Sequence, residues 1–147
     1  MNRLDSRSLG VPHSYIRAPL LPSSRGMGRL STLFAPERVA VVGATDSEGS
    51  VGHAVTTNLL DSFTGEVVAV NPNKETVLGL PCYDNLIDLE DPASVDVAVV
   101  VVPPTVAVEV IENAGEAGIE NVVVITAGFG ETGSDGAERE RRLREAA

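Results

Sequence analysis

The sequence has one cysteine, one lysine, no tryptophan and only 3% aromatic residues. A single thiol, Cys82, can make neither an internal disulfide nor a thiolate metal site, so structural zinc is excluded and a reducing, cytoplasmic setting is the expectation. Three Phe and two Tyr are too few to build a base-stacking groove, which argues against single-stranded nucleic acid as a partner. No stretch approaches the roughly 20 apolar residues of a membrane helix. The most apolar run, 95–104, contains Asp96 and ends in Pro103 and Pro104, so the chain is expected to be soluble.

What is present points to one compact domain: 147 residues, 43% of them apolar, with a formal net charge of −10. The charge is unevenly spread. Residues 1–30 hold Arg3, Arg7, Arg17, Arg25 and Arg29 against one acid, Asp5. The remainder, strongly acidic and with Lys74 as its only lysine, repels nucleic acid phosphates. An excess of carboxylates with almost no lysine resembles proteins adapted to high salt, where screening removes self-repulsion. Residues 1–30 show no sustained apolar period, and Pro12, Pro19 and Pro22 interrupt any amphipathic targeting helix. They are expected to form a disordered arm, with Met27 as an alternative start.

From Leu33 onward, short β-branched runs alternate with helical patterns, which predicts an α/β fold with a Rossmann-like parallel sheet and crossover helices in a domain over 31–147. The strands are expected over 38–42, 66–70, 95–102 and 121–126. The run at 95–102 is apolar on both faces and belongs in the middle of the sheet. The segment 79–89, punctuated by Gly79, Pro81 and Asp84, predicts a short strand and then a helical turn near 85–89. Helices are expected over 51–60, from Pro104 to a stop at Gly118, and over 136–147. The helix after Pro104 shows a stripe of Val106, Ala107, Val110, Ile111 and Ala114 opposite Glu109, Glu112, Asn113 and Glu116. A final crossover helix calls for another parallel strand; a fragment and a self-sufficient small domain are both compatible with the length.

The strongest local signal is GATDSEGSVG over 43–52, directly after the first strand and opening the first helix. Gly43 turns the chain off the strand, while Gly49 and Gly52 admit close backbone approach, so Gly52→Val is expected to block a ligand phosphate. The helix N-terminus supplies free N–H groups and partial positive charge, and Thr45, Ser47 and Ser50 add hydroxyl donors. Asp46 and Glu48 oppose an anion and are expected to face water. An NAD ribose would want a carboxylate about 20 residues further on. That position carries Asn71, Pro72, Asn73 and Lys74 instead. A lone ammonium there fits an additional phosphate better, which describes NADP or coenzyme A.

The order LFAPERVAVVGATDSEGSVG, NLLDSFTGEVVAVNPNKETVLGLPCYDNLIDL, VDVAVVVVPP and AGIENVVVITAGFGETG resembles the CoA-binding domain of NDP-forming acyl-CoA synthetases (acetate–CoA ligases, ADP-forming). More distant relatives are the succinyl-CoA synthetase alpha subunit, some protein acetyltransferases and small free-standing CoA-binding proteins. The resemblance implies that Gly43, Ala44, Thr45, Ser50, Val51 and Gly52 belong to the loop holding the CoA phosphates, and the glycine pattern adds Gly49 as a cofactor-binding candidate. Asn71, Pro72 and Lys74 match the segment near the adenosine end. Val102, Pro103 and Pro104, with Thr126, Ala127, Gly128 and Phe129, match the turns lining the CoA cleft. Glu131 matches an acid near the route of the family's phosphorylated histidine. The family reaction converts acyl-CoA, nucleoside diphosphate and phosphate into acid, CoA and nucleoside triphosphate through that histidine, which lies in a later domain. Here the only histidines are His13 and His53; His53, on the first helical turn, is disfavoured as a cation and suits neutral hydrogen bonding. No catalytic or metal-ligating residue is therefore expected. Phe63, Tyr83 and Cys82 read as packed side chains, although either ring could meet an adenine. The expected role is to hold CoA, with a partner domain or subunit supplying the chemistry. A free-standing CoA-binding regulator and an NAD(P)-binding domain are the alternatives.

Overall fold

The structure, a computed structural model, describes residues 29–126 and 134–146. All but the last two residues of the expected arm lie outside them. Its centre is β1 (Arg38–Val42), whose run of β-branched residues is buried on both faces. β1 pairs in parallel with β2 (Glu66–Val70) on one side and β5 (Val97–Val100) on the other. Among the described residues the sheet has six strands in the order β3-β4-β2-β1-β5-β6, where β3 is Thr76–Val77, β4 is Leu80–Tyr83 and β6 is Val122–Val124, and only the β3–β4 pair is antiparallel. The strand expected over 95–102 is indeed internal, between β1 and β6.

Strand alternation sorts the core into two layers. Ala40, Val42, Val68, Val70, Ala98 and Val100 face α3 (Pro104–Glu116) and share a cluster with its Ala114. Val41 and Ala69 face the opposite layer, where Val55 and Leu59 of α2 (Val51–Ser62) pack. Val41, Val70 and Val100 are essentially inaccessible, and each such burial is worth about 1.5–3 kcal/mol. Ala40, Ala69 and Ala98 are equally inaccessible, and their small size lets helices approach both faces of the sheet. At the amino-terminal edge, Asp96 Oδ2 accepts the N–H groups of Glu37 at 2.7 Å and Arg38 at 3.1 Å. This carboxylate satisfies backbone donors where the ladder ends.

Several expectations are revised. A short helix, α1 (Arg29–Phe34), precedes the sheet where only the end of the arm and the start of the patterned sequence were expected. The segment 79–89 contributes β4 and a 3₁₀ turn at Leu86–Asp88, but the hairpin partner β3 was missed. Two residues of strand carry no readable period, and β3 exists because β4 offers it an edge. The apolar stripe of α3 is rotated: Ala107, Val108, Ile111 and Ala114 are buried, whereas Val106 is 40% exposed. The last helix, α4, is Ser134–Ala146. Among the described residues, no helix is long and apolar enough to cross a membrane, and no cluster of His, Cys, Asp and Glu could hold a metal ion.

Candidate functional site

The chain leaves β1 for β2 on one side and later returns to β5 on the other, so strand order reverses across the carboxyl ends of β1 and β5. Such switch points open a crevice. Here it has two lobes meeting at Gly43, Thr45, Val101, Val102 and Pro103. The lobe toward β2, about 540 Å³, has an apolar floor that includes Val42, Val70 and Leu86, and a polar rim of Asn71, Asn73, Asp84, Glu109 and Asn113. The lobe toward β6, about 780 Å³, is bounded by Ser50, Val51 and Gly52 on the first turn of α2 and by Val124, Ile125 and Thr126. Both lie in the range of small-molecule sites.

The loop after β1 is fixed by its own chemistry. Gly43 has φ +91°, and its N–H donates to Val70 O at 2.9 Å. A Cβ there would sit 2.2 Å from Val101 O, so only glycine permits β1 to turn against β5. Ser50 caps α2, its Oγ accepting from His53 N at 3.1 Å and donating to Ser47 O at 2.7 Å. The Ser50 hydroxyl proton is thus committed within the loop. The N–H groups of Val51 and Gly52, which head the helix, have no intrahelical acceptor, and both residues line the β6-side lobe. Free N–H groups at a helix N-terminus are suited to an anion.

Gly52 has a packing role in the structure. Its Cβ would lie 2.2 Å from Gly43 O, so the missing side chain permits α2 to dock against the β1 turn. Gly49, with φ +81° and open space around its Cβ position, lies at the loop tip outside the cleft lining. Ala44 is fully buried, and its carbonyl accepts from Asn71 Nδ2 at 2.8 Å. Asn71 Oδ1 in turn accepts from Asn73 N at 3.0 Å, so one amide ties the loop to the end of β2.

Asp46 is exposed as expected and also has partners. Its Oδ1 accepts from Leu78 N at 2.7 Å, and its Oδ2 lies 3.6 Å from Lys74 Nζ. The Leu78 N–H, more than the nearby ammonium, holds the Asp46 carboxyl below the ordinary carboxylate range against the opposing effect of desolvation. Lys74 stands outside the cleft lining, beyond Asn73, and is not a lone ammonium. Glu48 is exposed as expected.

Of the sequence-derived residues, Gly43, Thr45, Ser50, Val51, Gly52, Asn71, Pro72, Val102, Pro103 and Thr126 line the cleft together. Thr126 Oγ1 donates to Val102 O at 2.6 Å, clipping the ends of β5 and β6 together. Pro104 opens α3. Ala127, Gly128, Phe129 and Glu131 lie outside the described residues. Val106, Glu109, Val110 and Asn113, one side of α3, were missed as cleft residues; the exposed valine at 106 reads as core in a helical period. Phe63 lies at the amino-terminal edge of β2, beside Gly65 and Glu37, away from the cleft. Tyr83 packs on the α3-side core. Cys82 is half-buried, and burial pushes its thiol pKa up, the opposite of a nucleophile's environment. His53 Nδ1 is buried with no hydrogen-bond partner, and His53 is absent from the lining of either lobe.

Residues 37–147 match the CoA binding domain family. The chain is 43% identical over 118 residues to acetate–CoA ligase (ADP-forming) I of Archaeoglobus fulgidus, covering 80% of this chain and 17% of that enzyme. The dinucleotide-forming acetyl-coenzyme A synthetase 1 of Ca. Korarchaeum cryptofilum, solved with phosphate and ADP, superposes with a TM-score of 0.72 at 39% identity over 80% of this chain and 25% of that one. A conserved hypothetical protein from Pyrococcus furiosus superposes with a TM-score of 0.61 at 34% identity, over 75% of this chain and 87% of its own. The chain therefore spans a minor part of the ligases it resembles and most of one small protein.

Proposed function

Because the chain belongs to the CoA binding domain family, we propose that the two-lobed cleft grips coenzyme A for an NDP-forming acyl-CoA synthetase whose phosphohistidine and nucleotide chemistry lie elsewhere. The observation that carries this is the meeting of both lobes at Gly43 and Thr45, beside the unpartnered N–H groups of Val51 and Gly52. Those two donors and the positive end of α2 hold the pyrophosphate. The lobe between β2 and α3 takes the adenosine end, with its apolar floor under the ring and its amide and carboxylate rim toward polar ring atoms. The pantetheine arm runs over Val102 and Pro103 toward Thr126. CoA supplies a thiol as acyl acceptor, while this chain's residues bind and orient it. The acid that an NAD ribose requires at the end of β2 is replaced by Asn71, whose amide is already engaged with Ala44. The lone half-buried cysteine suits a cytoplasmic setting, and the carboxylate excess a salt-rich one.

A free-standing CoA-binding protein is the second reading, favoured by the Pyrococcus furiosus protein whose chain is matched over 87% of its length. In either setting the ribose phosphate extends past the Asn73 rim of the cleft to meet Lys74. Lys74→Ala should weaken CoA several-fold more than dephospho-CoA in calorimetric titrations. Equal losses would take the lysine out of the phosphate's reach.

A further inference from the structure

A carboxylate inside a phosphate-binding loop works against its ligand, so the position of Asp46 calls for a reason. The structure links Asp46 to the segment between β2 and β4. It belongs to the loop after β1, yet its Oδ1 receives the N–H of Leu78 at 2.7 Å and its Oδ2 stands 3.6 Å from the ammonium of Lys74, the chain's only lysine. Leu78 has φ +49° at the turn between β3 and β4, a conformation that a non-glycine residue holds at some cost and that the Asp46 bond helps fix. The two side chains are partly exposed, at 47% for Asp46 and 37% for Lys74, so their pairing is weak and can be exchanged for another anion.

We propose that Asp46 is an internal counter-ion that occupies Lys74 until the ligand's ribose phosphate arrives, and that it thereby sets how strongly the domain prefers CoA over dephospho-CoA. The inference rests on the assignment of Lys74 to that phosphate. A phosphate at Lys74 must share or displace the Asp46 carboxylate, and the like charges repel. Dephospho-CoA leaves the pair intact. The carboxylate therefore lowers a discrimination that Lys74 alone would make larger, while its second oxygen keeps the β3–β4 turn in place.

Calorimetric dissociation constants for CoA and dephospho-CoA, measured on the wild type, Asp46→Asn, Lys74→Ala and the double variant, test this directly. The asparagine retains an oxygen for Leu78 N and removes the charge. Its ratio of dephospho-CoA to CoA dissociation constants should rise about two- to fivefold, the size expected for releasing an exposed pair. In the Lys74→Ala background the same change should raise the ratio less, because only the direct repulsion between carboxylate and phosphate is then relieved; an equal rise would make Asp46 a repeller of the phosphate that does not act through Lys74, and would overturn the inference. If Lys74→Ala lowers the ratio but Asp46→Asn does not raise it, Asp46 is not a counter-ion to the bound phosphate and the inference falls while the Lys74 assignment stands. If Lys74→Ala leaves the ratio untouched, the assignment itself falls and takes the inference with it.

Discussion

Gly52→Ala should lower the melting temperature and weaken CoA by about tenfold or more, a loss of about 1.4 kcal/mol of binding. The added Cβ would sit 2.2 Å from the carbonyl oxygen of Gly43. Both partners are backbone: the first turn of a helix, and a turn pinned by its own N–H to Val70 O. Neither can rotate away, so α2 must shift. Overpacking of this kind costs about 1–3 kcal/mol of stability. The shift also carries the N–H groups of Val51 and Gly52 away from the line along which they meet an anion. Gly52→Val should do more of the same. Gly49→Ala is the contrast, because its Cβ position is empty; only its positive φ is penalised, and CoA affinity should change little. Isothermal titration with matched thermal melts separates the two positions. Equal CoA affinity in Gly52→Ala and wild type would mean that the α2 N-terminus does not hold the ligand.

Gly65→Ala should destabilise the fold to a similar degree and leave CoA affinity unchanged when measured well below its melting temperature. Its Cβ would stand 2.2 Å from Glu37 O and 2.4 Å from the Phe63 ring. The phenyl ring can move; the Glu37 carbonyl, which accepts the N–H of Glu66 at 2.8 Å, is part of the sheet edge. This clash lies at the amino-terminal end of β2, opposite the cleft. A stability loss of about 1–3 kcal/mol without a binding loss would show that the Gly52 effect is local to the site. A matching loss of affinity in Gly65→Ala would mean that binding merely follows global stability.

The contrast between these glycines shows what the sequence makes readable. β1, the loop and α2 are legible because a short buried run, a glycine and an N-cap serine are all local signals, and the structure places each where the pattern puts it. The internal position of β5 is legible for the same reason: a strand apolar on both faces needs neighbours on both sides. Gly65 gives no such signal, since its close neighbour Glu37 is 28 positions away and belongs to another strand's edge. β3 is equally silent, being two residues long and stabilised by β4. The periodicity of α3 correctly marks Ala107, Ile111 and Ala114 as buried. It cannot distinguish a valine against the sheet from one open to a cleft, so Val106 reads as core although it is exposed and lines the site, while Val110 packs on the core and lines the site as well. Asp46 is exposed as its pattern predicts, but its partners Lys74 and Leu78 reach it only through the tertiary fold and leave no local signal. In these cases the missing information is long-range pairing, which neither propensity nor period encodes.

The most direct test of the central claim is a thermal-shift and calorimetric series with CoA, NADP and NAD on the unmodified protein. A ligand at 100 times its dissociation constant stabilises the fold that binds it by about 2.7 kcal/mol. CoA should raise the melting temperature and titrate with one site per chain, whereas NAD and NADP should do neither. A protein that melts at the same temperature with saturating CoA as without it, and gives no binding heat, would contradict the account; stabilisation by NADP instead of CoA would assign the cleft to a different cofactor.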